Sequence, residues 1–243
     1  MKRTWTGRLL DLLFPPKCPF CGRVLNEPGV CLKCEKTLPW IEEHLCERKV
    51  GQSCCAAPLW YEGAVRQALL RLKFHYAPGS AEPLGQLVAR CAAEHFSGEF
   101  DVVTWVPVSR KRLRRRGYDQ ARLLAESACR CWDTKPVALL EKTEDNPAQS
   151  TLTEAAARRA NVLGVYRALP EAAGRRILLI DDICTTGATL GECVRELYDA
   201  GAERVVCAAV ALSREKKVHK NTEEEGCNRA KCRYNIICMT LCG

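Results

Sequence analysis

The sequence predicts an α/β protein, a mainly parallel sheet flanked by helices, with a small metal-binding module towards its N-terminal side. Three observations predict it. From Trp60 onward, apolar runs of strand length alternate with stretches of helical periodicity. One of those runs, Ile177 to Ile180, leads straight into two acids and a Thr/Gly turn that opens a helix. Before Trp60, two Cys-x-x-Cys pairs sit in a segment too poor in apolar periodicity to build much core.

Taking the chain in order, residues 1 to 57 read as the accessory module. Cys18-Pro19-Phe20-Cys21-Gly22 and Cys31-Leu32-Lys33-Cys34 form two knuckles whose four thiolates, Cys18, Cys21, Cys31 and Cys34, converge on a tetrahedral ion; structural Zn²⁺ is the expectation. Metal binding then supplies the folding energy that so small a core lacks. Cys46, Cys54 and Cys55 have no metal-like spacing. Residues 58 to 213 carry the regular elements. Tyr61 to Phe74 places Ala64, Val65, Ala68, Leu69 and Leu72 on one helical face, and Leu84 to His95 repeats the pattern. Asp101 to Pro107 reads as a strand, Asp119 to Cys131 as a helix and Val137 to Leu140 as a short strand. The strand Ile177 to Asp181, the helix Leu190 to Ala200 and the strand Arg204 to Leu212 close the series. Strands alternating with helices argue for a largely parallel sheet, with ligands at the carboxyl ends of its strands. Residues 214 to 243 break the pattern and are expected to form an irregular or disordered tail.

A length of 243 residues suits one medium domain plus a small module. The formal charge is +8, and Arg110, Lys111, Arg112, Arg114, Arg115 and Arg116 concentrate cations within seven positions. Such a cluster fits phosphate-rich ligands or nucleic acid, or simply a solvated helix start. Seventeen cysteines in a small secreted domain would mean disulfides. Here the basic segment Met1 to Phe14 has a short apolar stretch interrupted by Asp11, which fails as a signal peptide. No window reaches the roughly 20 apolar residues of a membrane span. A cytoplasmic protein is the expectation, with clustered cysteines as metal ligands and scattered ones in the core.

The run from Ile177 to Leu190 carries most of the chemistry. A buried strand that ends in a small-residue turn and a helix start aims unpaired N–H groups and a helix dipole at one spot, which makes an anion site. The hydroxyls of Thr185, Thr186 and Thr189 add donors, and Gly187 allows a tight turn before Ala188. Asp181 and Asp182 would only repel a phosphate, unless they hold hydroxyls or hydrated Mg²⁺ on the same ligand; that combination suggests a sugar phosphate. No Gly-Lys-Ser/Thr follows the turn and no G-x-G-x-x-G is present, so neither a P-loop nor a dinucleotide fingerprint applies.

This stretch resembles the signature of type I phosphoribosyltransferases: apolar run, Asp-Asp, two variable residues, Thr-Thr-Gly-x-Thr. The resemblance implies that Asp181 and Asp182 are the catalytic-site acids, holding the ribose 2′- and 3′-hydroxyls of phosphoribosyl pyrophosphate (PRPP). It implies that Thr185, Thr186, Gly187, Ala188 and Thr189 hold its 5′-phosphate. Further stretches resemble ComF-type competence proteins. These are Tyr61-Glu-Gly with Leu72-Lys73-Phe74, Val106-Pro107-Val108 followed by Arg112-Leu113-Arg114-Arg115-Arg116-Gly117-Tyr118-Asp119-Gln120, and Gln149, Leu152, Arg158, Asn161, Gly164 and Tyr166. With the double knuckle, the likeness covers residues 14 to 213; it departs in one extra alanine between Gln149 and Asn161 and in the degraded second cysteine set.

The ComF likeness implies a type I phosphoribosyltransferase fold with a zinc module, linked to uptake of single-stranded DNA alongside a helicase partner. In such a fold the loop after Val106 holds pyrophosphate, through backbone N–H groups such as that of Val108 and through Lys111 or Arg112. Mg²⁺ then accompanies PRPP. Arg116 and Arg158 either reach the same polyanion or make surface contacts. Tyr118 either stacks on a base or packs under the loop, and Lys73 reads as a snorkelling surface lysine. Two functions stay open. One is transfer of a phosphoribosyl group from PRPP to a nitrogenous acceptor; the other is a non-catalytic accessory role in single-stranded DNA uptake.

Overall fold

The computed structural model describes residues 15–42, 47–74, 78–143 and 164–214. The stretch from Gln149 to Asn161, with Arg158, and the cysteine-containing tail lie outside them, as do His44, His75 and His219. The elements follow the predicted alternation. α1 (Leu32–Thr37) belongs to the knuckle module, and β1 (Glu47–Val50), β2 (Ser53–Ala56) and β3 (Leu59–Trp60) come next. α2 (Gly63–Phe74), α3 (Ala81–His95), β4 (Val102–Trp105), α4 (Arg110–Arg116), α5 (Gln120–Arg130), β5 (Leu140–Lys142) and β6 (Tyr166–Ala168) make up the middle of the chain. β7 (Arg176–Cys184), α6 (Ala188–Asp199) and β8 (Arg204–Leu212) complete it.

Among the described residues, six strands form the main sheet in the order β1-β2-β8-β7-β4, with β3 also beside β8. All neighbours are parallel except the β1–β2 hairpin. Apolar continuity explains why β7 and β8 sit centrally. Ile177 to Ile180 and Val205 to Leu212 are almost wholly buried, as strands covered on both faces must be. The two faces feed separate cores. Leu178, Ile180, Val206 and Ala208 pack with α2, α3 and α5. Ile177, Leu179, Val205, Cys207 and Ala209 pack with α6.

Helix ends obey local chemistry. Asp119 caps α5, its Oδ1 accepting from the N–H groups of Ala121 (3.0 Å) and Arg122 (3.2 Å). α4 begins at Ser109, whose Oγ accepts from Arg112 N–H, and ends at Gly117 with φ of 78°. α3 and α5 pack closely because Gly85 lies against Ser127, whose Oγ donates to the Glu82 carbonyl at 2.7 Å.

Two departures from the sequence reading have clear causes. Residues 47–56, counted with the cysteine-rich module, form the β1–β2 hairpin of the main sheet, with Cys55 and Ala56 beside Cys207 and Ala208. The short strand expected at Val137 to Leu140 lies at Leu140–Lys142, paired with β6 in a separate two-stranded ribbon. Val137 N–H instead bonds the Val103 carbonyl, and Leu139 N–H the Thr104 hydroxyl, so this stretch only brushes the edge of β4.

A methyl group at Gly85 would meet Ser127 Cβ at 2.4 Å and the Leu124 carbonyl at 2.7 Å. Gly85→Ala is therefore expected to cost roughly 1–3 kcal/mol and lower Tm by roughly 3–10 °C, read by thermal unfolding. An unchanged Tm would show that α3 and α5 are not held this tightly.

Candidate PRPP site and zinc cluster

The acids sit deeper than their sequence suggested. β7 runs on to Cys184, so Asp181 and Asp182 lie inside the strand, 9% and 3% exposed. Strand alternation sends Asp181 to the face of Ile177 and Leu179, and Asp182 to that of Leu178 and Ile180. There Asp182 Oδ2 meets Lys73 Nζ from α2 at 2.7 Å. Asp181 Oδ1 accepts from Asp182 N–H at 2.8 Å.

Burial, and then the neighbouring Asp182 charge, push the Asp181 carboxyl well above the usual carboxylate range, while Lys73 pulls against them. Burial works against the Lys73 ammonium, but the charges of Asp182 and Asp181 outweigh it and its pKa stands above the ordinary lysine value. Lys73 is thus no snorkelling surface residue. Its side chain is 23% exposed and forms the counter-charge of the acid pair.

The turn beyond the acids is built from both sides of the chain. Thr186 is exposed, and its Oγ1 accepts from Ala188 N–H at 3.4 Å; Thr185, Ala188 and Thr189 are half-buried. Gly187 has φ of 73° and opens α6, and a Cβ there would strike Val50 Cγ1 at 2.7 Å. A side chain is excluded by conformation and by space. Arg48 of β1 ties the backbone down: Nη1 donates to the carbonyls of Thr185 and Cys184, and Nη2 to that of Ser213. The turn's carbonyls are thus held from behind, and the amide end of α6 lies beside the exposed Thr186.

The second predicted loop is also ordered. Asp119 Oδ2 accepts from Val108 N–H at 3.0 Å, so that amide is engaged by the protein. Lys111 is exposed and Arg112 half-buried on α4; Lys111 lines an open concavity with Arg110, Arg114 and Arg115. Burial, and then the charges of Cys193 and Asp181, raise the pKa of the Tyr166 phenol, with Arg112 pulling against them. Arg116 donates to Gln120 Oε1 at 2.7 Å, stacks 5.1 Å over the Phe74 ring and lies within electrostatic reach of Asp182. Tyr118 donates its hydroxyl to the Leu72 carbonyl, so it packs under the loop.

Sequence reasoning missed Arg48 and the role of Lys73. The only signal for Lys73 was its place in the Leu-Lys-Phe stretch. Nothing marked Arg48, which lies 136 positions from its partner Cys184.

In the N-terminal module, Cys18, Cys21, Cys31 and Cys34 bring their sulfurs within 4.8 Å of one another, and Cys21 Sγ lies 3.6 Å from Cys31 Sγ. A tetrahedral zinc with Zn–S bonds of about 2.3 Å sets its sulfurs about 3.8 Å apart, so the donor set fits the ion. The Cys34 backbone N–H holds the Cys31 thiol down, to about 6, whereas burial raises that of Cys34. The first is ready to ligate; the second needs the metal to ionise it.

Comparison with known proteins decides the family. The phosphoribosyl transferase domain family matches residues 81–233, and the double zinc ribbon domain matches residues 9–68. The competence protein ComFC of Bacillus subtilis is 30% identical over 198 residues, covering 76% of this chain and 72% of that protein. The chain belongs to the ComF family. ComF relatives also include the DNA utilization protein YhgH of Escherichia coli K12, 28% identical over 198 residues (77% of this chain, 80% of that one). ComFC of Streptococcus pneumoniae is 25% identical over 225 residues, covering 78% and 96%. The zinc ribbon match and the four-cysteine cluster together support structural zinc. Among the described residues no helix is long and apolar enough to cross a membrane.

Metal analysis should give one zinc per chain from this cluster, and Cys21→Ser or Cys34→Ser should remove it. Retention should weaken as pH falls, because protons compete with the metal for the thiolates. Zinc bound undiminished in both variants would take the metal away from these residues.

Proposed function

We propose that this protein binds PRPP with Mg²⁺ at the carboxyl end of β7 and transfers its phosphoribosyl group to a nitrogenous acceptor. The observation that carries this reading is the buried acid pair Asp181–Asp182, countered by Lys73 and followed at once by the Thr185–Thr189 turn. Two carboxylates withdrawn from water are costly to keep, and vicinal ribose hydroxyls are donors that would satisfy both. The 5′-phosphate would take the Thr185–Thr189 turn and the first amides of α6. The pyrophosphate would face α4, with Lys111 and Arg112 as its cations.

Mg²⁺ bound with PRPP would neutralise part of the pyrophosphate charge. In transfer, the C1–O bond to pyrophosphate breaks and a C1–N bond forms. The acceptor nitrogen gives up a proton to solvent or to pyrophosphate. What the chain supplies is orientation and electrostatic support for the leaving group. The names of the ComFC and YhgH relatives suggest that this activity serves competence and DNA uptake, in the cytoplasm, where thiolates stay available for zinc.

A second reading rests on the exposed cationic face of Arg110, Lys111, Arg114 and Arg115. That face suits single-stranded DNA, and makes the protein an accessory to a competence helicase that retains PRPP binding without turnover. Release of pyrophosphate from PRPP in the presence of nucleobases favours the first reading; salt-sensitive DNA binding without release favours the second.

PRPP with Mg²⁺ should raise the melting temperature of the wild type, and Asp181→Asn combined with Asp182→Asn should abolish the rise. An equal rise in the double variant removes the site assignment. pH supplies a further check. Asp181 holds its proton above the usual carboxylate range, while hydroxyl donors favour the ionised form. Binding should therefore release a proton and tighten as pH rises through that raised value, levelling off above it. Calorimetry in two buffers of different ionisation enthalpy reads the release, which Asp181→Asn should eliminate.

A further inference from the structure

The last turn of α2 touches both the cysteine module and the acid pair. Arg71 Nη2 donates to the carbonyls of Pro19 (2.6 Å) and Phe20 (3.2 Å), the two residues enclosed by Cys18 and Cys21. Two positions on, Lys73 Nζ holds Asp182. Residues two apart point about 200° apart around a helix, so one turn faces the knuckle on one side and the sheet on the other. Three further contacts fix that turn. Leu72 is fully buried and its carbonyl accepts from Tyr118, while Phe74 lies under the Arg116 guanidinium. On the rest of the helix Val65, Ala68 and Leu69 are fully buried.

We propose that the zinc-loaded Cys18–Cys21 knuckle is a positioning element for the acid pair, acting through Arg71 on the seat of Lys73. Zinc fixes the knuckle turn and thereby the two carbonyls that Arg71 grips. Those bonds are charge-assisted and anchor the helix end, whose final carbonyls have no intrahelical partners. With the knuckle loose, the end frays and Lys73 loses its fixed approach to Asp182. The module on this view is part of the site's scaffold, and Arg71 and Lys73 are positioning residues.

The test is hydrogen exchange on the full chain, zinc-loaded and zinc-stripped, alongside Arg71→Met and Arg71→Lys variants whose zinc content is measured. Stripping should speed exchange of the amides in 69–74 and 181–186 roughly tenfold, the loss expected from one charge-assisted hydrogen bond. Arg71→Met should do the same with its zinc retained, and Arg71→Lys should recover part of the protection. Changes confined to residues 15–42 on stripping overturn the proposal, as does wild-type exchange in zinc-loaded Arg71→Met.

A second arm rests on the PRPP reading. Affinity for PRPP with Mg²⁺ should fall in both stripped protein and Arg71→Met, and unchanged affinity in both counts against the coupling. If the wild type holds no PRPP, that reading fails, while the exchange arm still decides the coupling.

Discussion

Keeping two adjacent carboxylates out of water is the constraint from which the rest of the site follows. Neighbouring acids on a strand point to opposite faces, so the direct ion-pair contact falls on one of them and only the longer-range field reaches the other. Lys73 meets Asp182 on the α2 face, and Asp181 leans on the Asp182 amide and holds its proton more tightly than an ordinary carboxyl. Breaking such a buried pair on one side typically costs several kcal/mol, because the remaining charge is stranded. The stored cost is also what a ligand can draw on. On the proposed reading, a sugar hydroxyl brought to either acid would relieve it, whereas a bare phosphate would relieve neither.

The supports are spread across the whole chain. Arg48 and Val50 press on the turn from a hairpin near the cysteine module, Asp119 engages the amide of Val108, and Tyr118 braces the carbonyl of Leu72. Each of these is a side chain acting on backbone. That is the way to give a loop a fixed shape without filling the space a ligand needs.

Much of this could be read from the residues. β8 occupies the predicted span from Arg204 to Leu212, since an unbroken apolar run bounded by turns leaves little choice. α5 begins one residue after Asp119, as its capping chemistry requires, and the clustering of Cys18, Cys21, Cys31 and Cys34 follows from their spacing. The hairpin at 47–56 was illegible because Glu47, Arg48 and Lys49 are three charges in a row, and the pairing that makes them a strand lies far along the chain. Lys73 escaped for the same reason. A lysine at the end of an amphipathic helix looks like solvent-facing punctuation until the fold delivers Asp182 to it. Local pattern reports local preference, and the electrostatic partners here are long-range.

The position of β8 in the sheet governs how the molecule is made. It lies between β2 and β7 and also receives β3, yet it is among the last strands to leave the ribosome. Until it emerges, β2 and β3 have exposed edges with nothing to zip onto, and β7 has only β4. Assembly must wait for distant partners, which favours slow closure and a need for chaperoning while apolar edges stand open. A nascent chain halted before Arg204 would carry the cysteine knuckle and, of the main sheet, only two separate strand pairs, β1–β2 and β4–β7, with nothing to join them.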